Sequence, residues 1–235
     1  MEPWNKQKYT VAILIPHGDM IYFPFALSLA QLNPPQPSFY ILQKGLSLHE
    51  LRDYMVDVMF QTKNYDSLYI DVEKSKDKMV EQSLDSGAEY IFFLDSDVIV
   101  NPNTIQTLME LHYPVTVGVY WKKENRPHTS LYMFDEKTKK FNGIERFNAS
   151  SPFFVDGAGM GIALIDSRIF KKLSQPWFLW EHYKVNTNRY SEDLYFCRKL
   201  WEELGIKILV DPRVKGTHLG MGGIKDEGKI FFPEI

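Results

Sequence analysis

The apolar run Tyr90 to Leu94 ends abruptly in Asp95-Ser96-Asp97, two carboxylates one residue apart. Acids this close repel one another unless a positive charge sits between them, and a divalent cation is the simplest such charge. A buried strand delivers its last residues to the carboxyl edge of its sheet, where open α/β sheets bind ligands. The same tripeptide also suits a solvated turn capping the next helix, so the strand before it and the helix after it decide between the two readings.

Three further clusters carry polar groups in ordered surroundings. Asp156-Gly157-Ala158-Gly159-Met160-Gly161 places three glycines in five residues, which lets a backbone approach a ligand closely or turn sharply into a strand. It does not follow a first strand, so it is not a dinucleotide-cofactor loop. Ser191-Glu192-Asp193 opens a helical pattern: serine suits the cap and acids suit the first turn. The bulky neighbours Tyr195, Phe196 and Trp201 also make that turn a place where a carboxylate can act as a general base, its pKa moved by desolvation or nearby charge. The third cluster runs from Asp211 to His218, ahead of Gly220, Gly222 and Gly223. A lone histidine is often structural, yet imidazole plus carboxylate suits Mn2+, with Mg2+ suited where water completes the shell.

These groups need elements to position them. Val11 to Ile15 reads as a buried first strand opening into Pro16-His17-Gly18-Asp19. Ile21 to Leu32 reads as a helix, Ser38 to Gln43 as a second strand, and Leu48, Leu51, Tyr54, Met55 and Val58 recur at helical spacing. Val72 to Ser86 is an amphipathic helix stopped by Gly87. Asn101-Pro102-Asn103 opens a helix through Leu111, with asparagine as its cap. Pro114 to Tyr120 is the next strand. To this point strands alternate with helices, as in a parallel sheet with crossover connections. Ser130 to Phe134 and Phe141 to Phe147 then read as a hairpin, Gly161 to Asp166 and Ile206 to Asp211 as strands, and Ser191 to Leu204 as a helix. The expected fold is α/β: a mainly parallel central sheet flanked by helices, with a small antiparallel hairpin region.

With 235 residues, 44% of them hydrophobic, the chain can bury the core of one large domain. A net charge of -3 argues against a protein that grips a nucleic-acid backbone, so no nucleic-acid partner is expected. A nucleotide ligand remains compatible if a cation mediates its contact with an acidic site. Cys197 is the one cysteine, which excludes an intrachain disulfide and a thiolate zinc cluster and fits a reducing, cytoplasmic compartment. The first residues lack a signal-peptide apolar core. Met20 to Leu32 is too short to span a bilayer, and reads as a core-packed helix or, as the minor alternative, a peripheral membrane contact.

Taken in order, these motifs resemble nucleotide-sugar-dependent glycosyltransferases of the GT-A (Rossmann-like) fold, closest to glycosyltransferase family 2 and related small viral or microbial enzymes. Val80 to Asp97 resembles the family's helix, Gly-Ala, apolar strand and Asp-x-Asp. Asp156 to Ile165 resembles the acceptor-side glycine segment, Glu192-Asp193 the pair that begins the catalytic helix, and His218 the late metal histidine. The resemblance spans Tyr9 to about Gly220, and a viral source would place the protein in the host cytoplasm.

The resemblance implies one domain over 1–235, with a nucleotide-sugar half at about 9–120, an acceptor and catalytic half at about 121–220, and a mobile tail at 221–235. It implies Asp95, Asp97 and His218 as ligands of Mn2+ or Mg2+, with Asp95 and Ser96 also on the donor, and Pro16, His17 and Gly18 lining the nucleoside pocket. Lys76 falls where the family often carries an arginine before an asparagine. A lysine there is a point charge on the diphosphate and not a bidentate fork. Trp121, Asp156 and Gly157 are the acceptor-side candidates, while Trp177 and Trp180 suit either a sugar-stacking or a core role. The implied reaction is inverting transfer of a sugar from a nucleoside diphosphate sugar, UDP- before GDP-, to a glycan or other hydroxyl acceptor, with Asp193 as base and Glu192 as second choice. A sugar-phosphate nucleotidyltransferase, a two-carboxylate glycoside hydrolase and a non-catalytic glycan or sugar-nucleotide binder are the alternatives. The first would need an arginine-containing glycine-rich loop where Pro16-His17-Gly18-Asp19 stands, and the second would need no cation.

Overall fold

Strand β1 (Val11–His17) is fully buried from Val11 to Ile15 because both of its faces are covered, which is why that run carries no polar alternation. The computed structural model describes residues 10–17, 22–44, 66–122, 128–146, 148–179, 190–219, 223–224 and 230–231. After β1 the order is α1 (Phe23–Gln31), β2 (Ser38–Lys44), α2 (Asp66–Asp85), β3 (Tyr90–Leu94), β4 (Val98–Ile99), α3 (Thr104–Met109) and β5 (Val115–Val119). Then come β6 (Leu131–Asp135), β7 (Lys140–Gly143), β8 (Phe153–Val155), β9 (Gly157–Ala158), β10 (Ile162–Asp166), α4 (Arg168–Lys172), α5 (Glu192–Leu204), β11 (Ile208–Lys215), β12 (Thr217–His218), β13 (Gly223–Ile224) and β14 (Ile230–Phe231). The helical pattern at Leu48 to Val58 lies outside the described residues, as do Gly18, Arg126, Trp180 and Gly220.

The central sheet has seven strands in the order β2-β1-β3-β10-β5-β11-β8. Strands β2, β1, β3, β5 and β11 run one way; β10 and β8 run against them. The fold is therefore α/β with a mainly parallel central sheet flanked by helices, as the alternation predicts. Two small antiparallel sheets complete it, β7-β6-β9 and β14-β13-β12-β4. The first contains the expected hairpin, with its second strand ending at Gly143 and not at Phe147. The second includes β13 and β14, from the stretch expected to be a mobile tail: β13 pairs with β12 and β14 with β13.

Period-two alternation sorts the strand residues into two cores. Ala12, Leu14, Ile91, Phe93, Ala163 and Ile165 pack with Met79 of α2, Phe170 of α4 and Phe196 and Leu200 of α5. Val11, Ile13, Ile15, Phe92, Leu94, Ile162 and Leu164 pack with Phe25 of α1 and Ile105 and Leu108 of α3. Helix α5 stops at Gly205, which adopts φ +66°, a left-handed conformation that glycine takes without steric cost. Helix α3 is shorter than expected, and the Asn103 side chain makes no capping bond: its backbone (φ -96°, ψ 16°) is not the extended form a side-chain cap requires.

Close packing of β5 against β11 depends on Gly118. A Cβ there would lie 2.6 Å from Val214 Cγ1, 2.9 Å from Ile162 Cγ2 and 3.1 Å from the Val214 carbonyl. Gly118→Ala is expected to destabilise the fold by about 1–3 kcal/mol, the usual cost of overpacking, read from urea unfolding. An unchanged unfolding midpoint would mean that β11 yields freely at this point.

Candidate active site

Asp95 is the next odd-numbered position after Ile91 and Phe93, so the strand's alternation directs it to the face covered by α2 and α5. Its backbone N–H donates to the Gly161 carbonyl (3.2 Å), because β10 enters the sheet antiparallel beside β3 and brings the glycine segment to the carboxyl edge. A side chain at Gly161 would collide with Asp95, its Cβ falling 2.5 Å from Oδ2. The glycine is thus required for close approach, as its spacing implied. The Gly161 N–H donates to the Tyr120 hydroxyl (3.2 Å) at the end of β5.

His218 reaches the acidic pair through the four-stranded antiparallel sheet. Strand β4 follows Asp97 directly and pairs with β12, setting His218 opposite Val98. The Leu219 N–H donates to the Asp97 carbonyl (2.7 Å). His218 Nε2 stands 3.3 Å from Asp97 Oδ2, and Nδ1 stands 2.9 Å from the Trp121 carbonyl. A carbonyl only accepts, so Nδ1 carries the proton in that bond. In the neutral ring Nε2 then presents a bare lone pair to a carboxylate oxygen. That arrangement is favourable only with a proton or a cation between the two atoms. The ring stands edge-on to Tyr120 at 5.4 Å. Among the described residues no three His, Cys, Asp or Glu side chains form a ready cage for a metal ion. Asp97 and His218 are the pair placed to share one, and the Nδ1 bond to a carbonyl is the outer contact that commonly orients a ligating imidazole.

Across the cleft edge, α5 starts at Ser191, whose Oγ accepts from the Leu194 N–H (3.4 Å). The capping role read from the sequence is therefore real. It coexists with an ion-pair network. Lys76 of α2, 5% exposed, donates to Glu192 Oε1 (2.8 Å) and Asp193 Oδ1 (2.5 Å). Asp193 Oδ2 accepts from the Met160 N–H (3.1 Å). The ring of Phe178 lies 5.4 Å below the ammonium group. Lys76, the residue expected on the donor diphosphate, is bound to the two carboxylates, 116 residues away in sequence in the case of Glu192.

Burial and charge act against each other here. Loss of solvation, with Asp193 and Asp97 close by, outweighs the pull of Lys76 and His218 and raises Asp95 to about 7. Glu192 is raised, mainly by burial, despite Lys76. Burial opposes the charge on Lys76, yet Asp193, Glu192 and Asp95 together hold its pKa well above the ordinary lysine value. Tyr120 is likewise raised by burial and by Asp95 and Asp193, so its hydroxyl stays protonated. Three carboxyl groups, those of Glu192, Asp193 and Asp95, thus meet around one lysine, and Asp97 adds a fourth negative group beside Asp95, leaving the site short of positive charge.

The other candidates sit as follows. Pro16 and His17 are half-buried at the carboxyl end of β1; the β1–β3 register, continued from Leu14 opposite Phe93, brings Pro16 level with Asp95. Ser96 is half-buried between the two acids. Trp121 contributes its carbonyl to His218. Gly157 is buried beneath α5, where a Cβ would meet Leu194 and Phe141. Asp156 is turned outward, bound to Lys207 (2.9 Å) and to the Phe134 N–H (3.0 Å). Trp177 is a core residue, 4% exposed. Sequence reasoning singled out neither the Met160 amide nor the Tyr120 hydroxyl as part of the acidic cluster; the signal for Tyr120 was its place at the carboxyl end of β5.

No family model matches this chain, and no curated protein matches it. Among solved structures it is similar to A197 from STIV, with a TM-score of 0.61 and 17% identity over 96% of this chain and 95% of that one. It is also similar to S. aureus TarS 1-349, with a TM-score of 0.47 and 13% identity over 86% of this chain and 57% of that one. For TarS 1-349 in complex with UDP-GlcNAc the values are 0.46, 12%, 86% and 55%. The chain spans a little over half of TarS 1-349, and nearly all of A197, with which it shares its fold. Among the described residues no helix is long and apolar enough to cross a membrane.

Asp77, beside Lys76, secures the floor of the site by accepting from the Phe178 N–H (3.1 Å). Burial raises it from 3.8 to about 6, against the lowering effect of its backbone hydrogen bonds. The folded state therefore holds a proton that the unfolded state releases, and stability present below pH 3.8 is lost as pH rises through about 6. Melting temperatures recorded between pH 4 and 7 should fall more steeply for the native protein than for Asp77→Asn, whose amide oxygen still accepts the bond. Parallel slopes for the two would exclude this linkage.

Proposed function

We propose that the protein is a metal-dependent glycosyltransferase that moves a sugar from a nucleoside diphosphate sugar to an acceptor hydroxyl with inversion. The observation that carries this reading is the approach of His218 to Asp97, in the acidic pair that follows β3, together with a helix start that presents Glu192 and Asp193. The donor set of one imidazole nitrogen with carboxylate oxygens suits Mn2+, with Mg2+ next. A bound divalent ion supplies charge stabilisation for the departing diphosphate. Pro16, His17 and Ser96 stand where the first strands end and would border the nucleoside.

Asp193 is the better base of the pair. Its side chain retains 18% exposure against 12% for Glu192, and both of its oxygens are oriented, one by Lys76 and one by the Met160 amide. In the reaction the acceptor oxygen bonds to the anomeric carbon as the bond from that carbon to the diphosphate oxygen breaks, and the hydroxyl proton passes to Asp193. Lys76 acts as a positioning residue: it holds the two adjacent acids apart and offsets their charge.

Melting curves with UDP, GDP, CDP and dTDP, each with and without Mn2+, test the donor site directly. A rise with one nucleotide, UDP first, only when Mn2+ is present is the expected result; no rise with any of them rejects it. Asp193→Asn should keep that rise while lowering kcat by roughly 10²–10⁴, and wild-type turnover by this variant would remove Asp193 as the base.

Lys76→Met leaves two buried acids without their partner and should cost about 3–5 kcal/mol of stability. In Lys76→Arg a cation is kept but its reach changes. That variant should lose kcat with little change in donor KM, whereas a contact to the diphosphate would show as a raised donor KM.

A further inference from the structure

The face of α5 turned away from the core lies against the hairpin β6–β7, and an open pocket of about 210 Å3 forms between them. One wall is aromatic. Trp201 is 41% exposed, and its ring meets Phe134 at 5.8 Å, which in turn meets Phe141 at 5.1 Å. The remaining lining is charged: Glu136 and Asp156 on one side of the balance, Arg198 and Lys207 on the other. These charges cancel, and several are already engaged. Asp156 binds Lys207 at 2.9 Å, Glu136 binds Lys139 at 2.6 Å, and the Arg198 guanidinium lies over Tyr190 at 4.9 Å.

Such a lining offers little net attraction to an anion or a cation. It does offer a flat apolar face and, around it, alternating hydrogen-bond donors and acceptors. A neutral saccharide has the complementary chemistry, with C–H faces that lie on aromatic rings and hydroxyls that both donate and accept. We propose that this pocket is a binding site for a neutral oligosaccharide, separate from the acidic cleft, with Trp201 as its stacking platform. Trp201 lies two turns beyond Asp193 on the same helix, on the order of 12 Å along its axis, a span that a short oligosaccharide covers. On the glycosyl-transfer reading, the pocket anchors a distal part of the acceptor; the binding site itself does not depend on that reading.

Saturation-transfer NMR with neutral hexasaccharides of glucose, mannose, galactose and N-acetylglucosamine tests the proposal. At least one should bind the native protein, with affinity lowered tenfold or more by Trp201→Ala, largely kept by Trp201→Phe, and unchanged by Asp97→Asn. Because Trp201 is substantially exposed, the alanine variant should keep the native melting temperature, and a matching melt shows that lost binding is local. Absence of binding by all four sugars, binding indifferent to Trp201→Ala, or binding abolished by Asp97→Asn would each overturn the site. Failure of the nucleotide and Mn2+ melting shift, with oligosaccharide binding intact, would instead count against the transferase reading alone.

Discussion

A single ammonium group, that of Lys76, is where α2, α5 and the acidic edge of β3 meet. Buried lysines are tolerated only where anions surround them, and this one has two in direct contact and a third, Asp95, in its electrostatic field. The arrangement works in both directions. The acids hold the lysine charged, and the lysine allows two neighbouring carboxylates to stand at one helix start, where the helix dipole also favours them. The helix carrying Glu192 and Asp193 is thereby fixed in angle and depth relative to the strand carrying Asp95.

Lys76 does not balance the whole site. Asp95 stays near neutrality in its proton affinity because burial and its acidic neighbours oppose the pull of the lysine. On the far side, the Trp121 carbonyl forces the His218 proton onto Nδ1, and Nε2 faces Asp97. The deficit of positive charge therefore falls beside Asp97, which faces the His218 ring, because Lys76 is engaged by Glu192, Asp193 and Asp95. A diphosphate alone would deepen that deficit; a diphosphate carrying a divalent cation would relieve it.

The long periodic segments were legible because their periods report burial. Unbroken apolar runs at Val11 to Ile15 and Tyr90 to Leu94 meant strands covered on both faces, and the run from Ser191 to Leu204 carried a helix with its N-terminal cap. Of the site, the acids at Asp95, Asp97, Glu192 and Asp193 and the imidazole of His218 could be read from residue type and position. Two things were hidden. Strands β4 and β12 are two residues each, too short for any periodicity, so the device that joins His218 to Asp97 left no local trace. The destination of Lys76 was hidden as well, since a charged residue on an amphipathic helix reads as solvent-facing unless its distant partners are known. The direction of β10 was set by tertiary pairing, and with it the placing of Gly161 against Asp95.

The join between β4 and β12 has a consequence for biosynthesis. When α3 and β5 have left the ribosome, the acidic pair already exists, but the strand that brings the imidazole lies at the far end of the chain. Loop closure over such a separation comes late in folding. A molecule in which β12 has not yet paired with β4 can thus hold both acids while the imidazole still stands apart from them.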